Sequence, residues 1–99
     1  MRESDIENHL VARVKEMGGE VRKVKWIGRR GAPDRLVMLP ARGIANHCAV
    51  RFADTIWVEL KATGVPAESH QLREHDRMRK MGQHVVVIDS LEGVEELLA

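Results

Sequence analysis

The chain carries one cysteine, Cys48, which leaves it without an intrachain disulfide or a cysteine-rich zinc site to stiffen a small fold. Aromatic residues are almost as scarce, with one phenylalanine, two tryptophans and no tyrosine. Trp26, Phe52 and Trp57 are too few for an extended platform on which single-stranded nucleic acid could stack. Long apolar stretches are missing as well. Runs such as Val85 to Ile88 fall far short of the roughly 20 residues that a membrane-spanning helix needs. The charged start, Met1 to Asp5, leads into no apolar segment of the secretory kind, so the expected location is cytoplasmic, with no membrane partner. No internal repeat or low-complexity tract marks a boundary, and residues 1–99 are expected to form one domain around one core.

What is present suits a globular fold: 43% hydrophobic and 31% charged residues, with a net charge of +1. That small net charge hides an uneven distribution. Between Arg13 and Arg35 stand eight basic residues (including Lys25, Arg29 and Arg30) against Glu16, Glu20 and Asp34, whereas residues 89–99 hold Asp89, Glu92, Glu95 and Glu96 and no base. A basic region beside an acidic tail fits a phosphate-rich partner, although a solvated surface would look the same.

Ser4 followed by Glu7 has the form of a capping box, and Ile6, Leu10, Val14 and Met17 recur at helical spacing. The spacing predicts a helix from Asp5 to Met17, stopped by Gly18 and Gly19. Strands are predicted over Glu20–Ile27 and Asp34–Leu39, the second closed by Pro40. Residues 41–53 are the least legible part, either a loop or an extension of the following strand. Thr55–Lys61 alternates with a period of two and reads as a strand. Glu68–Met81 reads as a helix with Leu72, Met78 and Met81 on its apolar stripe and Gly82 as its stop. His84–Asp89 reads as a continuous buried strand and Leu91–Leu98 as a final helix. The fold class is therefore α/β.

The informative pattern is Pro33-Asp34 followed, on a later strand, by Glu59-Leu60-Lys61. Residues two apart on a strand share a face at roughly 7 Å, so Glu59 and Lys61 lie together while Leu60 turns to the core. If the two strands are neighbours, two carboxylates converge beside an ammonium group. Hard oxygen donors of that kind suit Mg²⁺, which takes one or two carboxylates and keeps several waters. Each residue alone has an ordinary explanation, as a turn pair or a surface ion pair. Their order within one α/β string is what points to chemistry.

These motifs resemble the PD-(D/E)XK nucleases, and within them the VRR-NUC group found in phage replication and repair genes and in a larger eukaryotic repair nuclease. The likeness runs through Glu7, Gly31-Ala32-Pro33-Asp34-Arg35-Leu36-Val37, Trp57-Val58-Glu59-Leu60-Lys61-Ala62, Gln71, and Gly82-Gln83-His84-Val85-Val86-Val87-Ile88. It implies a restriction-endonuclease-like αβββαβ core, a mixed central sheet flanked by helices. It implies that Asp34, Glu59 and the backbone carbonyl of Leu60 bind Mg²⁺ (or Mn²⁺), that Lys61 assists the attacking water, and that Glu7 and Gln71 complete the site. Residues 41–53 depart from the family by being longer than the corresponding turn. The resemblance further implies a DNA repair endonuclease of phage or bacterial cells, a homodimer able to resolve four-way or otherwise branched DNA.

Glu7 stands equally well as a helix cap, and Gln71 is expected to face the sheet, in line with His75 and Met78. The histidines carry no metal signature and are expected at the surface or facing partners, with His75 nearest the site. Lys25, Arg29, Arg30, Arg73 and Arg77 are the expected phosphate contacts, since Arg73, Arg77 and Lys80 share a helix face. Ile44, Cys48, Val50 and Phe52 exceed what an exposed loop normally carries, which favours burial against a second copy by a small margin over an extension of the chain's own core. Two other readings remain: a nicking or restriction-like nuclease on ordinary duplex, and a nucleic-acid-binding module without turnover.

Overall fold

The computed structural model describes residues 1–43 and 50–99. In chain order it contains α1 (Glu3–Glu16), β1 (Glu20–Lys23), β2 (Arg35–Leu39), β3 (Arg42–Gly43), β4 (Val50–Arg51), β5 (Asp54–Leu60), α2 (Ser69–Lys80), β6 (His84–Ile88) and α3 (Leu91–Leu98). Four strands form one sheet in the order β1-β2-β5-β6, antiparallel except for the parallel β5–β6 pair that α2 connects. The sheet is thus mixed, and its helices and strands follow the expected αβββαβ order. The β3–β4 hairpin is a separate two-stranded unit inserted between β2 and β5. It accounts for part of residues 41–53; Ile44 and Cys48 lie outside the described residues.

Alternation decides which sheet face is the core. Val37 and Leu39 of β2, with Ile56, Val58 and Leu60 of β5, point to one side and meet Ile6, Leu10 and Val14 of α1 and Val94 and Leu98 of α3. Each of these side chains is fully or almost fully buried, which contributes roughly 1.5–3 kcal/mol apiece. The other face carries Trp57, Glu59 and Lys61 and is covered by α2. Gly19 is needed where α1 hands over to β1, because a Cβ there would sit 2.3 Å from the Met38 carbonyl oxygen.

Several local expectations are corrected. Helix α1 begins two residues earlier than expected, with Arg2 as N-cap and no side-chain cap, so Ser4 and Glu7 form no capping box. Strand β1 ends at Lys23, with one further ladder bond from the Val24 N–H to the Asp34 carbonyl. On α2 the buried residues are Glu74, His75 and Met78, while Leu72 and Met81 are exposed. The stripe is rotated toward Glu74, whose carboxylate takes two bonds from Arg29. Strand β6 is buried only at Val85 and Ile88; Val87 lies open.

Candidate active site

Register builds the site. Arg35 pairs with Val58 across the antiparallel β2–β5 ladder, so one step outward Asp34 stands opposite Glu59. The Gly31–Pro33 turn delivers Asp34 to that position, with Pro33 buried and Gly31 in the left-handed region at φ +85°. Gly31 also packs so tightly on α2 that a Cβ would lie 2.9 Å from the His70 carbonyl oxygen. Any side chain there would push the Asp34 turn away from the helix. Directly after β5, Lys61 continues the alternation that puts it on the Glu59 face, and its N–H donates to the Ile88 carbonyl of β6 at 2.9 Å.

The electrostatics are those of a carboxylate pair short of compensation. Glu59 is 9% exposed, and burial is the main reason its carboxyl is pushed up to about 7. Lys61 and Arg35 act the other way; the charges of Asp34 and Glu3 add to the rise. Asp34 remains half exposed, open to a ligand. Its Oδ1 forms an ion pair with Arg35 Nη1 at 2.9 Å, and the same guanidinium donates through Nε to Glu7. Burial works to lower the Arg35 pKa, but the hydrogen bond to Glu7 and the nearby Asp34 charge outweigh it and keep the group cationic.

Glu7 therefore reaches Asp34 through Arg35. Gln71 is engaged elsewhere: its Oε1 accepts the Glu68 backbone N–H at 2.8 Å in a capping box at the start of α2. Of the five expected catalytic residues, Asp34, Glu59 and Lys61 converge, Glu7 is one residue removed, and Gln71 caps its helix.

Three residues were missed or misjudged in sequence. His75 is fully buried instead of surface-facing, and its Nε2 lies 3.7 Å from Glu59 Oε1, beyond hydrogen-bond range. Neither ring nitrogen has a hydrogen-bond partner among the described residues, and burial, the largest influence, lowers its pKa. Arg35 could have been flagged, because a charge at the position before Val37 and Leu39 on the inward face needs a partner. Glu3 precedes Glu7 by one helical turn and shares its face.

The expected phosphate contacts divide into two sets. Lys25 lines a cavity of about 260 Å³ beside Asp34, and Arg30 and Arg73 are exposed. Arg29 and Arg77 are instead clamped on buried Glu74. Arg29 makes two 2.7 Å bonds to the carboxylate, and Arg77 donates to Oε1 at 3.0 Å through Nε. Those bonds hold the turn that precedes Asp34 against α2.

Among the described residues no group of three or more His, Cys, Asp or Glu side chains is placed to hold a metal. Two carboxylates and the Leu60 carbonyl remain, a hard-oxygen set with excess negative charge, which fits Mg²⁺ better than a nitrogen- or sulfur-seeking ion. No helix among the described residues is long and apolar enough to cross a membrane.

No protein-family model matches the chain. A protein of Acyrthosiphon pisum secondary endosymbiont phage 1, "Putative nuclease p44", is 44% identical over 90 residues, which span 91% of this chain and 85% of that protein. A solved structure described as a VRR_NUC domain matches with a TM-score of 0.76 at 38% identity, covering 97% of this chain and 92% of that one.

Proposed function

The chain belongs to the VRR-NUC nucleases, with their restriction-endonuclease-like α/β fold, and from that premise we propose that residues 1–99 form a Mg²⁺-dependent endodeoxyribonuclease domain acting on branched DNA. The observation that carries this reading is the meeting of Asp34 and Glu59 across the β2–β5 ladder, with Lys61 beside them. Asp34, Glu59 and the Leu60 carbonyl would hold the ion. When bound, the ion supplies charge neutralisation at the scissile phosphate and acidifies a water. Lys61 would orient the attacking water by a hydrogen bond from its Nζ ammonium; the water oxygen would bond to phosphorus as the P–O bond to the leaving strand breaks, its proton passing through solvent to the leaving oxygen. Arg35, tied to Glu7 on one side and Asp34 on the other, fixes the Asp34 carboxylate. Lys25, Arg30 and Arg73 take backbone phosphates outside the site, an interaction blind to base sequence.

One small subunit holds one site, and paired incisions in opposing strands need two. Phe52 is 81% exposed at the end of the β3–β4 hairpin, which supports a homodimer that covers it. The working compartment would be the cytoplasm of a bacterial or phage-infected cell, where DNA is at hand.

Cleavage of a labelled four-way junction and a labelled duplex, with Mg²⁺ and with EDTA, tests the reading. Junction cutting that requires the metal supports it. Equal cutting of plain duplex would favour a nicking or restriction-like enzyme, and binding without cutting would leave a recognition module. Light scattering at low micromolar concentration tests the dimer: a mass near 11.2 kDa with junction cleavage retained would refute it.

A further inference from the structure

Two of the three aromatic residues come together. Trp26, beyond the end of β1, and Trp57, in the middle of β5, stand with ring centroids 5.2 Å apart and planes inclined at 45°. Both indoles are pinned by their own N–H groups. Trp26 Nε1 donates to the Pro33 carbonyl at 2.8 Å, and Trp57 Nε1 donates to Gln83 Oε1 at 3.0 Å. Their N–H groups are thereby spent within the protein, and the indole surface that remains is apolar.

The two rings line an open cavity of about 720 Å³ whose far wall is α2, with Met78 and Met81 adding apolar surface. That volume lies within the range of sites that hold compact aromatic ligands. Arg29, Arg77 and Lys80 also line it, three cations against the single carboxylate of Glu74, so the cavity carries a positive excess. It also adjoins the reaction centre. Trp57 precedes Glu59 by two residues on the same strand and face, roughly 7 Å along the chain. A rigid aromatic floor, an apolar wall and a cationic margin next to a phosphodiester-cutting site fit one kind of occupant: a planar, π-faced group attached to phosphates.

We propose that this cavity is a nucleobase subsite, in which an unpaired base of the DNA strand next to the scissile phosphate stacks on the Trp26–Trp57 pair. Lys80, which lines the cavity and is not part of the Glu74 clamp, meets a flanking phosphate. A paired base cannot enter without leaving its stack, whereas a base at a branch point is already partly unstacked and enters at lower cost. Preference for branched DNA then comes from the pocket, a mechanism that rests on the nuclease reading above and extends it.

The tryptophans themselves report the event, because Trp26 and Trp57 are the chain's only two. Wild-type protein in EDTA is titrated with four-way junctions carrying unpaired 2-aminopurine at successive positions around the branch point. The expected result is quenching of both base and indole emission at one position, and none with a fully paired duplex. Trp26→Ala should weaken binding of that junction by about 5- to 150-fold, the effect of losing one base–aromatic stack, with duplex binding changed less than about twofold. Trp26→Phe keeps a ring but loses the hydrogen bond to Pro33 and should restore most of the affinity, which a purely structural role would not.

Absence of quenching at every position overturns the subsite. So does equal weakening of junction and duplex by Trp26→Ala, or conversion of a dimer to monomers by that change, which would make the cavity a contact between copies. Failure of the nuclease reading registers separately, as absence of Mg²⁺-dependent cleavage by the wild type, since stacking is measured without metal.

Discussion

Two buried carboxylates sit on the same side of the sheet and are treated in opposite ways. Glu74 is 3% exposed at its side chain and receives two arginines; their hydrogen bonds, Arg29 foremost, hold its carboxyl below the usual range. Glu59 is nearly as enclosed but pairs with no arginine among the described residues, and the ring within 4 Å of it belongs to His75, whose pKa burial lowers. One carboxylate fastens a turn to a helix. The other is kept undercompensated, in the condition that a divalent cation relieves. Where a fold encloses a charge and then withholds its counter-ion, chemistry is the better explanation than stability.

The largest expected effect breaks that contrast at its catalytic end. Glu59→Gln and Asp34→Asn should each reduce Mg²⁺-dependent cleavage by about 10³-fold or more, the loss of several kcal/mol of stabilisation, while metal-free protein stays folded by circular dichroism. Cleavage at the wild-type rate in either variant would show that the two carboxylates are not the metal site. Lys61→Ala should cut about 10²- to 10⁴-fold more slowly yet bind Mn²⁺ as before by calorimetry.

Stability against pH sharpens the contrast. A carboxyl raised to about 7 in the folded protein holds its proton where the unfolded chain, at about 4.5, has lost it. Metal-free stability should therefore fall as pH rises from about 4.5 to 7, by on the order of 3 kcal/mol from this group, and Glu59→Gln should flatten that limb of a urea-midpoint profile. Glu74 works with the reverse sign. Its lowered pKa gives stability that is present above about 4.5 and lost as pH falls through its folded value. Glu74→Gln should cost about 1–3 kcal/mol at pH 7 and remove part of the acid limb.

The smallest effect concerns phosphate contacts. Arg30→Ala or Arg73→Ala should each lower the slope of log affinity against log salt by about 0.9 on duplex DNA. Arg29→Ala should lower it less, because part of that charge is already committed to Glu74. Equal slopes for all three would mean that the clamp opens on binding DNA.

The comparison also marks what sequence could and could not reveal. Asp34 and Glu59 were legible because strand periodicity fixes faces locally and the motif order supplies the pairing. The clamp was not, since Arg29 and Glu74 lie 45 residues apart and no local rule joins them. Hydrophobic periodicity placed Leu72 and Met81 on the inward stripe of α2 because it counts apolar residues alone; the buried positions are Glu74, which Arg29 bonds, His75 and Met78. Glu7 looked like a cap by spacing, yet the buried Arg35 guanidinium takes its carboxylate. The scarcity of aromatics argued against stacking, but two rings suffice when the sheet and a loop bring them together.

The β3–β4 hairpin has an evolutionary consequence. Leu39 and Asp54 are cross-strand partners, so the chain leaves the sheet and returns to it at the same rung. Everything between them is a detour whose ends the ladder already holds. Because each doubling of such a loop costs only about 0.6 kcal/mol in closure entropy, lineages are free to lengthen, trim or replace it with little penalty to folding. A change in the arm thus leaves untouched the register that brings Asp34 opposite Glu59.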